Sequence, residues 1–259
     1  MLIPFYKYQG TGNDFVIIDD RAENFPATDQ ALIEKLCHRR FGIGADGLIL
    51  LRNDPDYDFR MVYFNADGAE GSMCGNGGRC IVRFAHDLGL FAQKTRFLAV
   101  DGEHTAEVLG DDISLKMGNV SGIEDRAGIT FLNTGSPHVV RSVDDLESLD
   151  VVSEGRALRY DSTFQPGGTN VNFMQVIDDH TLFVRTYERG VEDETYSCGT
   201  GVTAVALVAH QQLHMDAPVA IQTLGGNLSV SFTPKADGQF DSIHLIGPAK
   251  RVFSGSITV

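Results

Sequence analysis

The chain has 259 residues, of which 42% are hydrophobic and 22% charged, a composition that can bury a core and excludes a disordered chain. Its formal net charge of −14 disfavours nucleic acid and anionic membranes as partners. No apolar stretch approaches the ~20 residues needed to span a bilayer. The opening MLIPFYKYQGTGNDF lacks a basic-then-apolar signal pattern, so a cytoplasmic protein working on a small molecule is expected.

In chain order, the first alternating segment predicts a strand over Phe15–Asp19, followed by a helix running from a Thr28 cap to Arg40 with Leu32, Ile33 and Leu36 inward. Strands are expected at Leu48–Leu51 and Phe59–Asn65, a helix at Asn76–Leu88, and strands at Phe97–Val100 and Thr105–Val108. The second half predicts strands at Val139–Val143, Asn172–Ile177, Leu182–Glu188, Val219–Thr223 and Leu228–Phe232, with a nearly all-apolar and therefore buried helix at Thr200–Leu213.

These two series are copies. Aligned at a constant offset of 124 residues, the separation of Cys74 from Cys198, the chain matches itself without a gap from Phe59 onward. Phe59, Tyr63, Glu70, Cys74, Gly75, Gly77, Ala85 and His86 fall on Phe183, Tyr187, Glu194, Cys198, Gly199, Gly201, Ala209 and His210. Earlier, GTGNDFVIIDD matches TGSPHVVRSVDD at nearly the same offset. A Gly-, Ser- and charge-rich stretch from Gly118 to Arg126 separates the copies, dividing the chain into residues 1–118, joined by a C-terminal strand at about 250–259, and residues 119–249. Two similar α+β halves facing one another across a cleft are expected.

The four cysteines, Cys37, Cys74, Cys80 and Cys198, form no CxxC and suggest neither a disulfide framework nor a zinc site. Cys37 and Cys80 have no duplicated partner and read as packing residues. Cys74 and Cys198 both begin the string Cys-Gly-x-Gly immediately before a helix. A helix start favours a thiolate and a bound carboxylate alike, and glycine lets a ligand approach the backbone. A thiol, with a reference pKa of about 8.5, can serve as either acid or base near neutrality. Two of them suit inversion of a carbon centre, where one group removes a proton from one face and the other delivers one to the opposite face. The amides around Gly75, Asn76, Gly199 and Thr200 are the expected donors to a carboxylate whose charge grows in the transition state. No pyridoxal-phosphate lysine or complete nucleotide-binding glycine pattern is evident, and neither cofactor nor metal is expected.

Together MCGNGGRC, SCGTG, YERG, GTGNDF, GIGADG and FNADG resemble diaminopimelate epimerases, over nearly the whole chain. The resemblance implies two pseudo-symmetric domains, each a strongly curved, mostly antiparallel sheet around a central helix. It implies a cofactor-independent homodimer that interconverts LL- and meso-2,6-diaminopimelate for lysine and cell-wall synthesis. By motif, Cys74 is similar to the proton donor and Cys198 to the acceptor in the LL-to-meso direction. His138 and Glu188 correspond to positions that tune the thiols. Asn13, Asn65, Asn170, Glu188 and Arg189 correspond to groups that hold the rest of the substrate, with Arg189 suited to a distal carboxylate. Gly47 stands where many members carry Gln, and Ser136 replaces a frequent Asn. Proline racemases and hydroxyproline epimerases need the same chemistry, but typically show Gly-His after the first cysteine, where this chain has Gly75-Asn76.

Overall fold

The structure, a computed structural model, describes residues 1–126 and 128–259. They form two compact units, Met1–Leu115 with Gly247–Val259, and Lys116–Ile246.

In the first unit the elements are β1 (Leu2–Gly10), β2 (Asn13–Asp19), α1 (Gln30–Cys37), β3 (Gly47–Arg52), β4 (Phe59–Asn65), α2 (Gly75–Asp87), β5 (Lys94–Ala99), β6 (Gly102–Leu109) and β7 (Asp112–Lys116). Neighbouring strands pair in the order β1 to β7, antiparallel except for the parallel steps β2–β3 and β4–β5. Each parallel step follows from a helix crossing between the strands it joins, α1 in the first case and α2 in the second.

The second unit holds β8 (Glu124–Arg126), β9 (Ile129–Asn133), β10 (Pro137–Ser142), α3 (Val151–Arg159), β11 (Asn170–Asp178), β12 (Thr181–Glu188), β13 (Asp193–Thr195), α4 (Gly199–Leu213), β14 (Val219–Thr223), β15 (Gly226–Pro234) and β16 (Phe240–Pro248). Here β9 to β12 and β14 to β16 repeat the first unit's pairing, with β10–β11 and β12–β14 parallel. The register repeats too at the first parallel step, where Phe15 lies opposite Gly47 and Val139 opposite Val171. The duplicated α+β architecture expected from the sequence is therefore present in each unit. The last strand, β17 (Lys250–Thr258), returns to the first unit and pairs antiparallel with β1.

Alternation along the strands places one helix on each face of the sheet. In the first unit Val16, Ile18, Leu48, Leu50 and Phe64 face α1, whose Ile33 and Leu36 close that core. The opposite face presents Phe15, Ile49 and Met61, whose side chains lie against Gly77 of α2. In the second unit Val139, Val171, Phe173 and Tyr187 pack with Val151 of α3. Helix α4 is buried at every position from Val202 to Ala209, which its apolar sequence requires.

Local chemistry shifts some boundaries. Helix α1 is capped by Asp29 rather than Thr28, its carboxylate accepting from the Leu32 amide at 3.0 Å, and it ends at Cys37 rather than Arg40. Helix α3 was not foreseen. Its central Gly155 weakens the helical pattern, yet a Cβ there would lie 2.3 Å from Cβ of Tyr187, so close packing on β12 demands the glycine. No helix of the described residues is long and apolar enough to cross a membrane.

Candidate active site

Cys74 and Cys198 are the N-cap residues of α2 and α4, both with extended backbone, and neither caps its helix with its side chain. A helix start directs its first-turn N–H groups outward along the axis. Gly75, Asn76, Gly199 and Thr200 supply such groups beside the thiols, in the helix-start placement expected for carboxylate donors. All four cysteines are unbridged. Burial pushes Cys37 and Cys80 up to about 12, leaving both protonated near neutrality.

In the first unit the Cys74 thiol donates to Oδ1 of Asn13 at 3.6 Å, and Nδ2 of Asn76 donates to the same oxygen at 3.3 Å. Nδ2 of Asn13 donates to Oδ2 of Asp46 at 2.7 Å. Asp46 also binds Nη2 of Arg39 at 2.6 Å, and Arg39 reaches Oδ1 of Asp14 at 2.7 Å. Lys7, almost fully buried, pairs with Asp14 as well. Burial opposes ionisation of Asp14, but hydrogen bonds from Arg39 and Lys7 outweigh it and hold the carboxyl at about 2. Beneath the helix start, the fully buried Arg79 donates to Oδ1 of Asn76 at 3.0 Å and to Oγ1 of Thr11 at 3.1 Å. Desolvation by burial lowers its pKa.

Asn65 ends β4 opposite Gly47, exposed, and opens a turn closed by Gly68 N–H on its carbonyl. The glycine at position 47 has a packing reason. A Cβ there would lie 2.5 Å from the Tyr63 ring and 2.6 Å from the Phe64 carbonyl. The aromatic ring of β4 thus occupies space that a larger side chain on β3 would need.

In the second unit Oγ1 of Thr200 lies 3.5 Å from Sγ of Cys198 and 2.9 Å from Nε2 of His138. Nδ1 of His138 is 3.0 Å from Nδ2 of Asn172, which also donates to the Val139 carbonyl at 2.9 Å. Burial, reinforced by the positive charge of Arg189, depresses His138 to about 3, so the ring is neutral in the physiological range. The Asn172 amide hydrogen fixes the tautomer: Nδ1 accepts, Nε2 carries the proton, and Thr200 Oγ1 receives it.

Asn170 spends both ends of its amide on backbone, donating to the Pro137 carbonyl at 3.0 Å and accepting from the Arg189 amide at 2.8 Å. It therefore locks the strand ends that carry His138 and Arg189. The Arg189 guanidinium donates to the Gly167 carbonyl at 3.2 Å. Glu188 accepts from the Thr195 hydroxyl at 3.0 Å.

The structure thus gathers Asn13, Cys74, Gly75 and Asn76 around the first helix start, with Asn65 on a neighbouring strand end. His138, Cys198, Gly199 and Thr200 gather around the second, with Asn170, Glu188 and Arg189 at adjoining strand ends. Sequence reasoning missed Asp46, Arg79 and Asn172. Asp46 lay inside the quoted GIGADG, Arg79 inside MCGNGGRC, and Asn172 two residues after Asn170, on the same face of one strand. Among the described residues no group of three or more His, Cys, Asp or Glu side chains is placed to hold a metal ion.

A family model described as diaminopimelate epimerase matches residues 5–123 and 130–252. A diaminopimelate epimerase from Flavobacterium psychrophilum is 50% identical over 254 residues, covering 97% of this chain and 99% of its own. One from Aquifex aeolicus is 41% identical over 276 residues, covering 98% and 97% respectively. A crystal structure of a PhzF-family phenazine biosynthesis protein from Bacillus anthracis shares the fold over 100% of both chains, with a TM-score of 0.81 at 16% identity.

Proposed function

We propose that this chain, which belongs to the diaminopimelate epimerase family, interconverts LL- and meso-2,6-diaminopimelate by proton transfer between its two duplicated thiols and the α-carbon. The observation that carries the reading is the pair of cysteines at equivalent helix starts, each backed by a polar chain of its own.

In the LL-to-meso direction Cys198, as thiolate, takes the α-proton, and the C–H electron pair remains on carbon and the adjoining carboxylate. Cys74 delivers its S–H proton to the opposite face and is left as thiolate. Roles exchange in reverse. The first-turn amides of α2 and α4 stabilise the carboxylate as its charge grows, which makes a weakly acidic C–H removable without a cofactor. Gly75, Asn76, Gly199 and Thr200 are the proposed holders of that carboxylate. His138 acts through Thr200 on Cys198, and Glu188 is the further tuning carboxylate. Asn13, Asn65, Asn170, Glu188 and Arg189 bind the amino and carboxyl groups of the distal end, Arg189 by its planar fork. The setting that goes with this reading is lysine and peptidoglycan-precursor synthesis by a cytoplasmic homodimer.

Incubation of the purified protein with LL-diaminopimelate in heavy water tests it. Meso product carrying deuterium at the inverted carbon is expected, and neither proline nor hydroxyproline is expected to exchange. Absence of both meso isomer and deuterium overturns the assignment.

A further inference from the structure

We propose that Asp46 is a positioning residue that keeps Cys74 in its protonated form, making it the member of the pair that enters the LL-to-meso reaction as acid; this rests on the two-thiol reading above. A carboxylate only accepts hydrogen bonds. Asp46 Oδ2 takes Nδ2 of Asn13 at 2.7 Å and the Asp14 amide at 3.1 Å, while Oδ1 takes Arg39 at 2.6 Å. The NH2 end of Asn13 must therefore face Asp46, which turns its carbonyl oxygen toward the Cys74 sulfur at 3.6 Å.

The orientation is confirmed from the other side. Arg79 has donors only, so the carbonyl end of Asn76 faces it at 3.0 Å, and the Asn76 NH2 meets Asn13 Oδ1 at 3.3 Å. Two charged groups, one at each end, thus leave the Asn13–Asn76 pair a single consistent arrangement. A carbonyl oxygen against the sulfur is satisfied by S–H and repels S⁻.

The charged groups around Cys74 do not all pull the same way. Arg79 and the positive end of α2 favour the thiolate. Cys80 stays neutral, and the Lys7, Arg39, Asp14 and Asp46 cluster balances two cations with two anions. The Asn13 carbonyl opposes Arg79 and the helix end by accepting the proton on sulfur.

At Cys198 the polarity is opposite. Asn172 donates to Nδ1 of His138, Nε2–H donates to Thr200 Oγ1, and the Thr200 hydroxyl is left with its proton to direct at the sulfur. A hydroxyl proton directed at the sulfur suits a thiolate there. Duplicated backbones thus carry hydrogen-bond chains of opposite sense.

The test is the pH dependence of Cys74 alkylation by iodoacetamide, in full-length protein carrying Cys198→Ala, followed by mass of the Cys74 peptide. Cys37 and Cys80, both near 12, do not compete. Adding Asp46→Asn frees the Asn13 amide to turn its NH2 to the sulfur. The alkylation midpoint is then expected to fall by about one pH unit, a roughly tenfold faster reaction on its acid side, whereas Asp46→Glu keeps the parent midpoint. An unchanged midpoint overturns the proposal, as does a rate that rises equally at every pH, the mark of mere loosening. Should Asp46→Asn fail to fold, Asn13→Ser replaces the carbonyl by a hydroxyl that can donate to the sulfur and must lower the midpoint; if it does not, the proposal falls. A lowered midpoint in a protein that epimerises nothing would uphold the Asp46 chain and reject the epimerase reading.

Discussion

The hydrogen-bond chain behind Cys74 ends on charged groups and the one behind Cys198 runs through neutral ones, although the two sulfurs begin helices that are copies of each other. Behind Cys74 stand Asp46, Arg39, Asp14 and Lys7; behind Cys198 stand Thr200, a neutral His138 and Asn172. At the repeat offset Asp14 falls on His138, Asp46 on Asn170, Asn65 on Arg189 and Asn76 on Thr200. Duplication preserved the backbone that places a thiol at a helix start, and divergence of the side chains behind it set the two thiols apart. In the proposed two-base reaction that difference would set which thiol holds the proton as the substrate arrives.

The most severe way to break the comparison is to remove either sulfur. Cys74→Ala and Cys198→Ala are each expected to lower epimerisation by about 10³-fold or more, read as meso product formed from the LL isomer. Retention of wild-type turnover by either variant would reject the two-thiol mechanism. Asymmetry between the halves is sharpened next by their glycines. A Cβ at Gly201 would lie 2.3 Å from Oδ1 of the buried Asn172. At Gly77, by contrast, it would meet only side-chain ends at 3.4 to 3.5 Å. Gly201→Ala is expected to destabilise by about 3 kcal/mol in urea unfolding. Gly77→Ala should be within about 1 kcal/mol of the parent, since alanine's helix propensity offsets any crowding.

A pH dependence follows from His138. Its folded pKa of about 3 lies below the unfolded value of 6.5, so the unfolded chain binds the extra proton between those limits. Stability from this group is complete above pH 6.5 and falls as pH is lowered toward 3, by up to about 2 kcal/mol at pH 5. In His138→Gln that part of the slope between pH 7 and 5 should vanish. An unchanged slope would mean that the imidazole is not held neutral. Asp14 gives the first half a loss of the same sign but in a lower window, from 3.8 to about 2. Acid unfolding should therefore begin with the half that carries Cys198.

Much of the fold was legible because hydrophobic period and repetition agree. The strand expected at Phe59–Asn65 is β4, and α2 and α4 begin one residue before the expected starts. What escaped depended on contacts distant in sequence. Helix α3 carries a glycine that only the Tyr187 side chain explains. Strands β1, β7, β8, β9, β13 and β16 were not foreseen, whereas β17 lies where the C-terminal strand at about 250–259 is expected, although eight of its nine residues are exposed and show no apolar alternation. In the candidate site the residues quoted in motifs were found at the expected helix starts and strand ends. Asp46, Arg79 and Asn172 lay in or beside those motifs but carried no sign of what they would touch.

By itself the sequence determined the duplication, the burial of α4 and the placement of a thiol at the start of each of the two duplicated helices, because these follow from periodicity and from glycines next to helix boundaries. The tertiary structure alone decided the direction of the hydrogen bonds behind the thiols. That direction depends on which end of an amide faces a group that can only donate or only accept. Asp46 meets Asn13 across 33 positions in the chain, and Asn172 meets His138 across 34. The strands of the sheet bring those pairs together.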